Sequence, residues 1–309
     1  MRKNKHLYPI RNWSQYNSTL VNRGSISLWF DQASIKSWLN HSKSGLRGKP
    51  RTYSDACVEC LLVIKAVSHI PQHATKGLVC SLMHFLGLDL PAPHPTILSR
   101  RAASLEVVLP RQSKGDALHA VFDSTGLKVF GEGEWKVRAH GYQKRRTWRK
   151  LHLGIDGQTG EVIAQVATTN NVSDEEVLPD LLEQIEEPIS QVTTGGGYDY
   201  ATCYEAIAER KARAVIPPRR TGRLNPQDER FRQRDKNLRL IRKVGRKRWK
   251  KRVKYHRRSL VDTAIMRVKS IFGDRISART FQNQATEKFV RCGALNRMTH
   301  LGMPESYRI

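Results

Sequence analysis

Carboxylates are scarce in this chain of 309 residues: 28 Asp and Glu stand against 54 Lys and Arg, a formal net charge of +26. Self-repulsion of that size opposes compaction unless a polyanion neutralises it, so nucleic acid is the expected partner. Long apolar runs are missing too, as are a lipidation motif and an apolar core behind the opening "MRKNKHLY". The expectation is a soluble, cytoplasmic, nucleoid-associated protein with no membrane partner. Cysteines are few and odd in number (Cys57, Cys60, Cys80, Cys203 and Cys292), which fits reduced thiols better than a disulfide framework. Cys57 and Cys60 form a lone CxxC with no second CxxC or HxxxH, so they read as packing residues of a helix rather than half of a zinc site. Also absent are an internal repeat, a heptad seam and the RNA-recognition signature that a general RNA binder of this charge would carry.

What is present falls into two parts. Between residues 54 and 90 the apolar residues recur at helical spacing, broken at Pro71 and Gly87, which predicts two helices. "DLPAPHPT" supplies a turn, Thr96 can cap a third helix, and Ser99, Arg100 and Arg101 fall early in it. Three short helices of this kind fit a helix-turn-helix presenting those residues to the major groove, and equally a plain bundle with a basic face. After residue 112 the period becomes that of strands. "ALHAVFDSTGLKVF" predicts a strand ending near Asp123, then a turn and a second short run; "WRKLHLGID" and "EVIAQVATTN" predict a hairpin around Asp156-Gly157. Ser173 then caps a helix with acids in its first turn, followed by strand "PISQVTTG", helix "YATCYEAIAERK" and strand "ARAVIPPR". This is an α/β layout, a mixed sheet flanked by helices. Residues 219–254 form a dense basic insertion with few apolar residues, expected to gain order on a phosphate backbone; Trp249 within it either stacks on an unpaired base or packs on the domain.

Two acids stand out. Asp123 closes a hydrophobic strand, where it is either a rigidly held site residue or a turn-forming Asx beside Ser124 and Gly126. Tyr255, Arg258, Asp262 and Lys269 are spaced by three, four and seven residues along one stripe of a helix expected over 255–272, with Val261, Ile265, Val268 and Phe272 on the adjoining core stripe. An acid between Arg258 and Lys269 is either a surface ion pair or a cation ligand whose basic neighbours clamp phosphates. Acids from a strand and a distant helix, beside basic side chains, suit a two-metal phosphodiester site. Two cations about 4 Å apart normally draw on at least three carboxylates.

The motifs "DSTGLKVFGEGEWKVRAHG", "WRKLHL", "YDYATCYEAI" and "IPPR", the Tyr255-x2-Arg258-x3-Asp262-x6-Lys269 pattern and the tail "ALNRMTHLGMPES" are collinear from about residue 15 onward. On them the chain resembles DDE transposases of bacterial insertion sequences, in the branch called insertion sequence family five. The resemblance implies an RNase H-like catalytic domain over 113–309 with the basic insertion before its last acidic helix, and an N-terminal all-helical DNA-binding domain over 1–112. It implies DNA cleavage and strand transfer at terminal inverted repeats, with Mg²⁺ as cofactor and Mn²⁺ as a substitute, inverted-repeat and target DNA as partners, and a dimer or larger synaptic assembly. Asp123 and Asp262 match two metal-binding acids, and Tyr255, Arg258 and Lys269 match phosphate-positioning residues.

Two positions depart from the family. In the "ADGAYD" pattern the second acid falls at Gly195 of "TGGGYD", so the catalytic position holds no side chain. The third acid, normally Glu, is Asp262, about 1.5 Å shorter in reach. Metal sites tolerate ligand errors of only about 0.2 Å, so impaired chemistry is expected. Asp199 is a candidate substitute, although it reads more naturally as a helix cap, and Asp156 is explained by its turn. An alternative role for the three glycines is an anion-binding nest, but no P-loop Lys-Ser/Thr follows.

Overall fold

The computed structural model describes residues 9–41, 51–112, 117–129 and 148–307. The "GEGEWKVRAHG" part of the motif quoted above lies outside them. The chain divides into two compact units, one of Met1–Pro110 with Gly293–Ile309, the other Arg111–Cys292. Residues 293–309, which the sequence groups with the catalytic part, thus cluster with the N-terminal residues.

The first unit contains helices α1 (Trp13–Asn22), α2 (Ile26–Trp29), α3 (Gln32–Lys36), α4 (Asp55–Ser68), α5 (Gln72–Phe85) and α6 (Pro95–Ala102). Ser54 caps α4 by accepting from the Cys57 N–H, and the apolar face that follows buries Cys57, Cys60, Leu61 and Ile64. Cys60 donates its thiol to the Trp29 carbonyl at 3.3 Å, so the CxxC is core packing. At α6 the cap is His94 rather than Thr96: the His94 ring accepts from the Thr96 N–H, and Pro95 takes the first helical position, where no N–H is needed.

The second unit is built on strands β1 (Leu118–Val129), β2 (Trp148–Asp156), β3 (Val162–Thr169), β4 (Ile189–Thr193), β5 (Arg213–Val215) and β6 (Arg275–Ile276). Their order is β3-β2-β1-β4-β5 with β6 added to β1. β1, β2 and β3 run antiparallel, while β4 and β6 are parallel to β1, and β5 to β4. That is the mixed, RNase H-like sheet expected. Helices α7 (Asp174–Glu183) and α8 (Ala201–Glu209) share a buried core with Ala120 and Phe122 of β1. Ser173 and Glu176 close a capping box at the start of α7. Because strand side chains alternate, Val121 and Asp123 face the opposite side, toward α11 (Ser259–Phe272), which packs across β1 and β2. Helix α12 (Phe281–His300) closes the chain.

Three expectations fail here. β1 does not end at Asp123. It continues to Val129, paired with β2 as far as Lys128, and Gly126 is a strand residue covered by Trp148 rather than a turn. A Cβ on Gly126 would lie 3.1 Å from the Trp148 ring, so the glycine makes room for the indole. The helix over 255–272 is a 3-10 turn, Tyr255–Arg258, followed by α11, and Lys254 precedes it with φ 54°. The basic insertion is folded rather than awaiting DNA: it forms α9 (Arg232–Val244) and α10 (Arg246–Arg252). Gln233 accepts from the Ala214 N–H at 2.6 Å and donates to the Ala212 carbonyl at 3.1 Å, and Asn237 donates to the Ala214 carbonyl at 3.1 Å. These bonds satisfy the outer rim of β5, and burial of Trp249, Val253 and Val215 fixes the pair of helices in place.

Candidate active site

Pairing between β1 and β4 ends with Val121 opposite Thr193, and β6 pairs with β1 only from Lys128. Asp123 lies between those two stretches, beyond the carboxyl end of β4, the usual place for a ligand crevice in a parallel arrangement. Its Oδ1 accepts from the Ser124 N–H at 2.9 Å, and its Oδ2 from Arg258 Nη2 at 2.5 Å. Asp262, one turn into α11, has Oδ2 3.6 Å from Arg258 Nη1. The side chain of Asp123 is 18% exposed and that of Asp262 52%.

Burial raises the Asp123 carboxyl above its ordinary value; Arg258 and the Ser124 N–H pull it down, and the neighbouring Asp262 pushes it up again. Burial works against the Arg258 charge, but Asp123 and Asp262 outweigh it and hold its pKa above the ordinary value. The two shifts are compatible, since Asp123 is the more buried partner and has a second carboxylate beside it.

Gly195 meets the same arginine. Its backbone is extended (φ −74°, ψ 171°), a conformation open to any residue, and a Cβ there would lie 3.7 Å from Arg258 Nε and 3.8 Å from Nη2, ordinary contacts. None of Gly195, Gly196 and Gly197 has positive φ, and Gly196–Tyr198 form a 3-10 turn. A nest requires alternating αR and αL backbone, so the anion-nest alternative is excluded. The structure therefore gathers Asp123, position 195 and Asp262 around one guanidinium.

Family models described as "Transposase DDE domain" match residues 114–297 and, separately, 21–132. The chain belongs to the DDE transposase family. A piggyBac transposase, solved by cryo-EM as a synaptic complex with hairpin DNA, aligns over 96% of this chain and 78% of its own at 13% identity and a TM-score of 0.43. DDE transposases as a family break and join phosphodiester bonds with divalent metal ions.

In this DDE transposase two acids meet at one arginine. Asp123 and Asp262 share Arg258, Gly195 beside that arginine has no side chain, and among the described residues no group of three or more His, Cys, Asp or Glu converges on a metal position. Asp199 is engaged elsewhere. It neither caps α8 nor stands free: it accepts from Tyr204 Oη at 2.9 Å, the Arg219 N–H at 2.9 Å and Arg234 Nε at 2.9 Å, tying the basic insertion to the sheet. Asp156 accepts from the Gln158 and Thr159 N–H groups in its hairpin turn.

The basic and aromatic residues divide. Trp249 is fully buried and donates Nε1 to Asn237 Oδ1 at 3.2 Å, so it offers no face to a base. Tyr255 is half-buried against Trp249, with Lys250 over its ring at 5.2 Å. Lys269 sits half-buried near the end of α11, and no contact among the described residues brings it to the acids. In the first unit Arg101 is committed to the Tyr53 carbonyl at 2.6 Å and Asp55 at 2.5 Å, and Ser99 to Gln72 at 3.2 Å. Of those three, Arg100 alone is exposed.

Sequence reasoning missed Asp174. It accepts from Ser124 Oγ at 2.9 Å and from Lys150 Nζ at 3.2 Å, steadying the residue after Asp123. In sequence it reads only as an acid in the first turn of a helix. Tyr198 matches the family pattern, but the sequence gives it no role; its hydroxyl is buried beside Asp174 and Asp123, and burial together with those acids raises its pKa well above the ordinary value.

Proposed function

We propose that this chain is the transposase of an insertion sequence of the family-five type, that it binds the terminal inverted repeats of its element, and that DNA cleavage and strand transfer are impaired in it because Gly195 stands where the second acid belongs. The observation that supports this best is the convergence of Asp123, Asp262 and the open Cβ direction of Gly195 on Arg258. A carboxylate fits at 195 in backbone and in space, and only glycine's missing side chain leaves it out. In this reading Asp123 and Asp262 are the remaining metal-binding acids for Mg²⁺ or Mn²⁺, and the chemistry those ions supply is activation of water and then of a DNA 3′-hydroxyl. Tyr255, Arg258 and Lys269 position phosphates once DNA is bound, and the helices holding Ser99, Arg100 and Arg101 belong to the end-binding part. The active assembly joins two ends and so contains at least two copies.

A second reading is a catalytically silent inverted-repeat binder that represses or titrates active copies. The outward cations of α9 and α10 favour it, because they are displayed independently of the acids. Purified protein and its Gly195→Asp variant, incubated with labelled inverted-repeat DNA in Mg²⁺ or Mn²⁺, separate the outcomes. Binding by both with 3′-end cleavage only by the variant supports the proposal; equal cleavage by the unaltered protein refutes it. Binding without cleavage by either leaves the silent binder.

A further inference from the structure

The acid cluster has an occupant. Two carboxylates brought together from β1 and α11 repel each other unless positive charge lies between them, and in this chain the charge is supplied from within. Arg258 Nη2 reaches Asp123 at 2.5 Å and Nη1 reaches Asp262 at 3.6 Å, so one planar guanidinium spans both acids. Its third donor tells where the arrangement is incomplete. Nε is buried with no hydrogen-bond partner among the described residues, and it lies 3.7 Å from where a Cβ on Gly195 would be. The orphaned N–H faces the missing carboxylate. Arg258 is also held in place: it ends the 3-10 turn Tyr255–Arg258, whose Tyr255 packs on the buried Trp249.

We infer that the Arg258 guanidinium is the resident cation of this site, holding Asp123 and Asp262 together in the place family members give to divalent ions, and that it keeps those ions out. The inference rests on the site assignment made above and deepens it, because it adds a second reason for inactivity. With an acid at 195 there are three carboxylates against one arginine, and a surplus of negative charge remains to attract metal. Without it Arg258 is the one cation ion-paired with both remaining acids among the described residues, and a divalent ion must displace that guanidinium.

Mn²⁺ binding to the purified full chain without DNA, read from loss of the free-ion electron paramagnetic resonance signal, tests this directly. The unaltered protein is expected to bind Mn²⁺ no better than Asp123→Asn. Arg258→Gln is expected to bind about tenfold tighter or more, since an opposing charge within bonding distance of the ligands has gone, and adding Asp123→Asn to it should abolish the gain. Equal binding by the unaltered protein and Arg258→Gln, whether tight or weak, overturns the inference. If Arg258→Gln does not fold, as judged by circular dichroism, Arg258→Met answers the same question: it keeps an unbranched stem and removes the charge, so binding should again rise above the unaltered protein, and no rise overturns the inference. Because no DNA or cleavage enters this measurement, its failure is distinct from failure of the proposed function. A chain that binds inverted repeats and regains cleavage with Gly195→Asp, yet shows no effect of Arg258→Gln on Mn²⁺, would keep the function and lose the internal cation.

Discussion

Two stretches rich in arginine, α6 in the first unit and α9 with α10 in the second, look alike in sequence and behave differently in structure. In α6 the best-placed cation, Arg101, is drawn inward to Tyr53 and Asp55, with 11% of its side chain exposed, which makes it a strut of the bundle. In α9 and α10 the inward positions belong to Gln233, Asn237, Leu238 and Trp249, while Arg239, Arg242, Lys243, Lys247, Arg248 and Lys251 face outward. A density of positive charge therefore says little about which cations are free for a phosphate backbone. What decides is whether a partner within the fold claims them, and acids are too scarce in this chain to claim most.

The contrast can be broken most sharply at Trp249. If the basic helices hang on it, Trp249→Ala should destabilise the second unit by about 3–5 kcal/mol, the usual cost of emptying a buried aromatic site, seen as a shifted midpoint in chemical denaturation. A change below about 1 kcal/mol would mean the indole is dispensable and free for other work. Acid should act next. His119 and His152 are held neutral, chiefly by burial, with Arg257 adding to the effect at His119, and both fall from the ordinary 6.5 to about 4. The unfolded chain takes up these protons first, so stability present above pH 6.5 is lost as pH falls toward 4, and a melting series across that range should show it. Replacing both histidines with Gln should flatten the loss.

Arg101→Ala should cost about 1–3 kcal/mol through the unpaired Tyr53 carbonyl, while the exposed Asp55 carboxylate turns to water, measured by thermal melting of the full chain. Weakened DNA binding with unchanged melting would instead make Arg101 a contact residue and erase the contrast. The smallest effect on folding belongs to the outward cations. Lys247→Gln, Arg248→Gln and Lys251→Gln together should leave stability within about 0.5 kcal/mol, while lowering the slope of log affinity against log salt by about 0.9 for each phosphate no longer neutralised.

Local rules made much of the fold legible. The hairpin at Asp156, the capping box at Ser173 and Glu176, and the alternation of strand and helix after residue 170 need only near neighbours in sequence, and all stand in the structure. Elsewhere the deciding partner was distant. Gly126 reads as a turn until Trp148 is laid over it, and Asp199 reads as a cap until Arg234, in a different helix, is bonded to it. The candidate acids Asp123 and Asp262 were visible because they fall on a family pattern, whereas their meeting at Arg258 depends on a strand, a turn and a helix coming together. Asp174 was invisible for the same reason, since its bond to Ser124 spans 50 residues.

The carboxamides of Gln233 and Asn237 have one more consequence. Among the described residues β5 is the last strand on its side of the sheet, and its outward N–H and C=O groups are a template on which a foreign strand can pair. By occupying Ala212 and Ala214, the two side chains deny that template to other molecules. A shortened protein lacking residues 219–254 would thus lose more than positive charge. It would expose a sticky margin, and self-association into aggregates, rather than a clean loss of DNA affinity, is the behaviour to look for in such a truncation.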